Sequence, residues 1–116
     1  LFRSIHDREM LADNGVFIIT SHIDPLKKEL VGEISVSMKG FLPEETFLEL
    51  KDELFLIFKE KVNEHLLTKY VNWNELKNEL RDELNKFLYA KTKRRPVTVV
   101  VLISTEQSEN DKNIQT

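Results

Sequence analysis

KTKRRPVTVVVLI runs from Lys91 to Ile103. Four of its first five residues are basic, and the eight after Arg95 are one proline, one threonine and six aliphatics. A β-branched aliphatic run opened by a proline predicts a buried strand over Val97 to Ile103. The basic run has two readings. Cations suit the negative end of a helix dipole and an exposed turn. Arginine and lysine also displace counterions from nucleic-acid phosphates. Lys91, Lys93, Arg94 and Arg95 are therefore read first as a helix end and turn, and second as candidate nucleic-acid contacts.

Upstream of this stretch lies an amphipathic helix. Asn72 is a good N-cap, and Glu75 stands at the capping-box position. Trp73, Leu76, Leu80, Leu84, Phe87 and Leu88 form its apolar face, and Lys77, Arg81, Asp82, Glu83 and Lys86 its polar one. Pro96 blocks its continuation beyond about Lys91. Before it, a longer helix is predicted from about Pro43 to Thr68, with Glu44 and Glu45 in the acid-favouring first turn. Phe47, Leu50, Leu54, Phe58, Val62 and Leu66 recur at spacings of three and four. Leu48, Phe55 and Ile57 widen that stripe, so Phe55 and Ile57 are candidate subunit-interface residues as well as candidate core.

Two strands open the domain. Val16 to Ile23 (VFIITSHI) begins with four apolar residues and is expected to be buried on both faces at its start. Leu30 to Met38 alternates, with Leu30, Ile34, Val36 and Met38 on one side and Glu33, Ser35 and Ser37 on the other. Asp24-Pro25 and the charged DPLKKE loop join them as an antiparallel hairpin. The order is ββααβ, an α+β fold: a small three-stranded sheet with both helices packed on one face.

The 116 residues amount to one domain, 41% hydrophobic and 32% charged. The formal net charge is -3, so any nucleic-acid role rests on a local patch. No aromatic stacking platform is evident beside the basic run, which weighs against that role. The chain has no cysteine, which excludes a disulfide scaffold and any thiolate metal site. His6, His22 and His65 lie in a linker, a strand and a helix, with no metal-ligand spacing. The serines Ser21, Ser35, Ser37 and Ser104 lack nucleophile-elbow glycines. Glu49, Asp52, Glu53 and Glu60 read as a solvated helix face, and Gly15, Gly32 and Gly40 are isolated. No catalytic or metal residue is assigned. No apolar run reaches the ~20 residues that span a bilayer. A first residue of Leu rather than Met is read as a piece of a longer protein.

Three stretches together resemble the C-terminal domain of ribonuclease J, a metallo-β-lactamase/β-CASP ribonuclease. IHDREMLADNGVFII (Ile5–Ile19) is similar to the family's linker end and first strand. Lys39-Gly40-Phe41 stands at its basic-Gly-Phe motif. FLYAKTKRRPVTVVVLI (Phe87–Ile103) resembles its closing segment. Val36-Ser37-Met38 departs from the usual Ile-Ser-Arg, and Thr98 to Val101 lacks a further proline. The resemblance implies residues 1–14 as the end of a linker from preceding catalytic domains and 15–104 as the C-terminal domain, while the polar composition of 105–116 reads as a disordered tail. It implies a cytoplasmic parent enzyme that hydrolyses RNA from the 5′ end and internally, with two metal ions, expected to be zinc, held in the β-lactamase domain and no cofactor in this fragment. The implied partners are a second copy or a paralogous ribonuclease J subunit, and RNA through the full-length enzyme, with no membrane. The domain's expected task is assembly, and Lys91, Lys93, Arg94 and Arg95 are the alternative, RNA-contacting site.

Overall fold

The computed structural model describes residues 14–105. The expected linker, His6 and the expected tail beyond Thr105 lie outside them. Asp24 ends the first strand because its Oδ1 accepts hydrogen bonds from Leu26 N (2.9 Å) and Lys27 N (3.1 Å), an Asx-type turn. That turn joins β1 (Val16–Asp24) to β2 (Glu29–Lys39) as an antiparallel pair. Helix α1 (Glu44–Leu66) follows, with Pro43 at its cap and Glu44 and Glu45 in its first turn. Helix α2 (Trp73–Thr92) opens where Asn72 Oδ1 accepts from Glu75 N at 3.1 Å. Strand β3 (Val97–Ser104) returns parallel to β1. The sheet order is β2-β1-β3, a mixed sheet with β1 in the centre.

The predicted stripes form the core, apart from Trp73, which is exposed at the start of the second helix. Phe17, Ile19 and Ile23 of β1 pack against Phe47, Leu54, Phe58, Val62 and Leu66 of α1 and Leu76, Leu80, Leu84, Phe87 and Leu88 of α2. Burying each such side chain stabilises the fold by about 1.5–3 kcal/mol. The alternation in β2 is as expected: Leu30, Ile34, Val36 and Met38 pack against this core while Glu33, Ser35 and Ser37 are exposed. Two residues of β2 are additional to the pairing. Thr20 faces Ser35 but His22 faces Val31, and Gly32 within this irregularity has φ 70°. An insertion of two keeps the side-chain parity, so the inward face of β2 stays inward on both sides of it.

Two expectations are corrected. β3 is not a buried strand: of its residues only Thr98 is buried, and Val97, Val99 and Ile103 are exposed on the face that the helices leave open. β1 is not buried on both faces at its start. Val16 and Ile18 point away from the helices and are only half-buried, while Phe17 and Ile19 are fully buried. Both helices lie on one side, so among the described residues no second layer covers the other.

The start of β1 and the end of β2 meet backbone to backbone. A Cβ on Gly15, which has φ 80°, would lie 2.4 Å from Gly40 C, 2.5 Å from Gly40 O and 2.6 Å from Lys39 O. Gly15 O also accepts from Val97 N at 2.9 Å, starting the β1–β3 pairing. Gly15→Ala is expected to destabilise the domain by at least about 2 kcal/mol, because the methyl group can be fitted only by moving strand backbone. A urea-unfolding midpoint within error of the unsubstituted chain would contradict this account.

Candidate functional site

The end of α2 and the turn into β3 carry the densest positive charge. Lys86, Lys91, Lys93, Arg94 and Arg95 lie between Leu84 and Thr105, a stretch with no Asp or Glu. The helix stops at Lys93, which adopts the left-handed conformation (φ 59°, ψ 22°) and donates its N–H to Tyr89 O at 2.8 Å. Thr92 Oγ1 donates to Leu88 O and accepts from Arg94 N, which closes the turn. Left-handed backbone costs a non-glycine residue about 1 kcal/mol or more, and here it reverses the chain so that Arg95 returns alongside the last helical turn.

The four predicted cations do not form one surface. Arg94 is half-buried and turns inward. Its guanidinium donates to the carbonyls of Phe41 and Gly40 (3.0 Å for the latter) and lies 5.4 Å from the Phe41 ring centroid. It pins the β2–α1 loop to the α2–β3 turn. Lys91 Nζ sits 3.4 Å from Glu53 Oε2 of α1 and over the Phe87 ring, an exposed ion pair worth little in stability. Lys93 and Arg95 both converge on Tyr89, with Lys93 Nζ 5.3 Å and Arg95 Cζ 4.5 Å from its ring centroid. Tyr89 is 39% exposed. The expectation that no aromatic platform stands beside the patch is therefore corrected. The i, i+4 spacing of Tyr89 and Lys93 was open to reading. The approach of Arg95 was not, because it depends on the turn.

A groove of about 390 Å³ opens here, lined by Asn85, Lys86, Tyr89, Arg95 and Pro96. Asn85 Oδ1 accepts from the Thr98 hydroxyl at 2.5 Å, which orients the amide along the groove wall.

The other candidates fall elsewhere. Phe55 and Ile57 are half-buried and pack against the core. Phe55 also borders a groove of about 440 Å³ between α1 and β2, with Ile34, Val36, Met38 and the exposed Leu48. His22 is exposed on the outer face of β1. His65 Nε2 lies 2.5 Å from Glu79 Oε2, with Lys61 Nζ 4.0 Å from the other carboxylate oxygen. This pair ties α1 to α2, and the ammonium beside it is unsuited to a metal. Among the described residues no three His, Asp or Glu side chains gather as a metal site needs, so the two-metal chemistry of the resembled family finds no fit in them. Glu49, Asp52 and Glu60 are exposed on α1, and no described helix is long and apolar enough to cross a membrane.

Arg94→Ala is expected to cost about 2 kcal/mol of stability, the scale of charge-assisted hydrogen bonds to a partly buried loop. Arg94→Lys should recover only part, since a single ammonium cannot reproduce the planar fork. Chemical unfolding of both variants checks this, and full recovery by lysine would show that charge alone suffices.

Comparison with known proteins agrees with this architecture. The model of the ribonuclease J C-terminal domain family matches residues 3–105. Ribonuclease J 2 of Staphylococcus epidermidis (strain RP62A) is 32% identical over 98 residues, 84% of this chain and 18% of that protein. Ribonuclease J 2 of Staphylococcus aureus (strain NCTC 8325) is 30% identical over 102 residues, again 84% and 18%. Ribonuclease J 2 of Streptococcus pyogenes serotype M3 is 29% identical over 99 residues, 85% and 18%. The chain thus spans less than a fifth of the length of these relatives. With a family match over nearly its whole length and the ββααβ fold formed, this chain belongs to the ribonuclease J C-terminal domain family.

Proposed function

We propose that this domain is a non-catalytic part of a ribonuclease J-like enzyme, a 5′-to-3′ exo- and endoribonuclease, and that it supports assembly with a second copy or a paralogous ribonuclease J subunit. The observation that carries this reading is the uncovered face of the sheet. Val16 and Ile18 of β1 stand in register with Val97 and Val99 of β3, and Val101 and Ile103 continue the row. Val97, Val99 and Ile103 are 36–40% exposed. These positions form one apolar strip, bordered on the β2 side by Ser35, Ser37 and Lys39, which pair with Thr20, Ile18 and Val16. A contiguous apolar strip with a polar border is the pattern of a subunit contact. β3 is also an edge strand without proline or charge between Val97 and Ser104, and such an edge favours a partner. Phe55 and Ile57, beside the α1–β2 groove, are proposed as a second and smaller contact.

A second reading, RNA contact by the basic turn, is favoured by one observation: the exposed Tyr89 ring lies beside both Lys93 and Arg95. In this reading the domain holds RNA for catalytic domains elsewhere in the enzyme.

For assembly, light scattering of the 116-residue chain over a concentration series should show a dimer or larger species at high concentration. Val99→Lys, which places a charge in the centre of the strip, should shift it to monomer by at least about tenfold in dissociation constant. Phe55→Ala should have a smaller effect. A Val99→Lys chain that associates like the parent would oppose the sheet face as the contact.

A further inference from the structure

We propose that the groove between the last turns of α2 and the start of β3 is a site for one nucleotide of single-stranded RNA, with Tyr89 and Arg95 as its stacking platform and Lys86 and Lys93 as its phosphate contacts. This rests on the second reading above and makes it specific. Four observations meet at this place. An exposed tyrosine ring is held by two cations, so its position is set before a ligand arrives. The groove volume of about 390 Å³ lies in the range of small-ligand sites, about 300–1,000 Å³. Asn85 Oδ1 accepts from the Thr98 hydroxyl, and its Nδ2 has no partner among the described residues, which leaves an amide donor for a base edge. Finally, Lys93 holds a left-handed conformation that glycine would adopt without strain, so a cation stands at this point against a backbone cost.

The chemistry selects a single strand. An unpaired base offers a π-face to an aromatic ring or a guanidinium plane, and flanking phosphates require cations at its edges. In a duplex the bases are stacked on one another, so only the cations would be used. Arg94 and Lys91 do not belong to this site. The first is bonded to the Gly40 and Phe41 carbonyls and the second faces Glu53. The nearest carboxylates on α2, Asp82 and Glu83, precede Lys86 by one turn, and Asp82 lies 4.0 Å from Arg81 Nε.

The test uses fluorescence anisotropy of a labelled oligouridine of about 12 nucleotides, titrated with the 116-residue chain at several salt concentrations. Tyr89→Leu should weaken binding roughly tenfold and leave the salt slope unchanged, whereas Tyr89→Phe should bind like the parent. Arg95→Gln should weaken binding by removing a stacking surface, whereas Lys86→Gln should weaken it and lower the salt slope by about 0.7, the share of one phosphate contact on a single strand. Lys93→Gly should bind more weakly while unfolding at higher urea, two effects of opposite sign that a merely structural lysine would not give. Lys27→Gln, in the turn at the far end of the sheet, is the control and should bind like the parent. If Tyr89→Leu binds like the parent while Arg95→Gln and Lys93→Gly bind weakly, the stacking site is overturned and a plain basic contact remains. If all variants bind alike, or the parent does not bind at low salt, both the site and the RNA-contact reading are overturned.

Discussion

At one end of the sheet, backbone meets backbone at a separation that only a glycine at position 15 permits. Gly15 and Gly40 both have positive φ, and Gly15 passes against the Lys39 and Gly40 carbonyls. Its own carbonyl receives Val97 N, so the same residue joins β1 to both neighbours. Arg94 completes the junction from the opposite direction by donating to the Gly40 and Phe41 carbonyls. Phe41 in turn meets Phe17 edge-on, with centroids 6.2 Å apart. The start of β1, the end of β2 with its loop into α1, and the turn from α2 into β3 are therefore fixed relative to each other. The groove beside Tyr89 inherits its geometry from this junction, because Arg95 and Pro96 follow directly on Arg94.

The junction also separates charges that look alike in the sequence. Four cations within five residues read as one basic patch. In three dimensions Arg94 bonds the Gly40 and Phe41 carbonyls, Lys91 meets a carboxylate of α1, and Lys93 and Arg95 lie beside an aromatic ring. A helix end attracts cations through its dipole without specifying what each one touches. The reversal at Lys93 makes that choice by turning consecutive side chains in different directions.

The remaining surface follows from one-sided layering. Both helices cover the face of the sheet that carries Phe17, Ile19 and Ile23, leaving the row from Val16 to Ile103 outside. In a three-stranded sheet the central strand gains lateral shielding from its neighbours, so Val16 and Ile18 are half-buried with nothing above them among the described residues. The apolar strip thus lies on the sheet's outer face, while the Tyr89 groove lies where α2 meets the start of β3.

The sequence by itself determined the five elements, their order and the inward faces of β2, α1 and α2. Period-two alternation in β2, the three-and-four spacing of α1 and α2, the Asn72 cap and the Pro96 stop are local signals, and each acts through residues a few positions apart. It also carried the family, through motifs at Lys39-Gly40-Phe41 and Phe87–Ile103. Tertiary structure alone decided that β1 has one open face, that β2 accommodates two extra residues beside Thr20, that Arg94 belongs to the fold, and that Tyr89 meets Arg95. Each of these depends on which element lies beside which, and on how a turn directs the chain. Such choices are made by packing and backbone contact between residues distant in sequence, such as Gly15 with Gly40 or Arg94 with Phe41, and no periodicity along the chain encodes them.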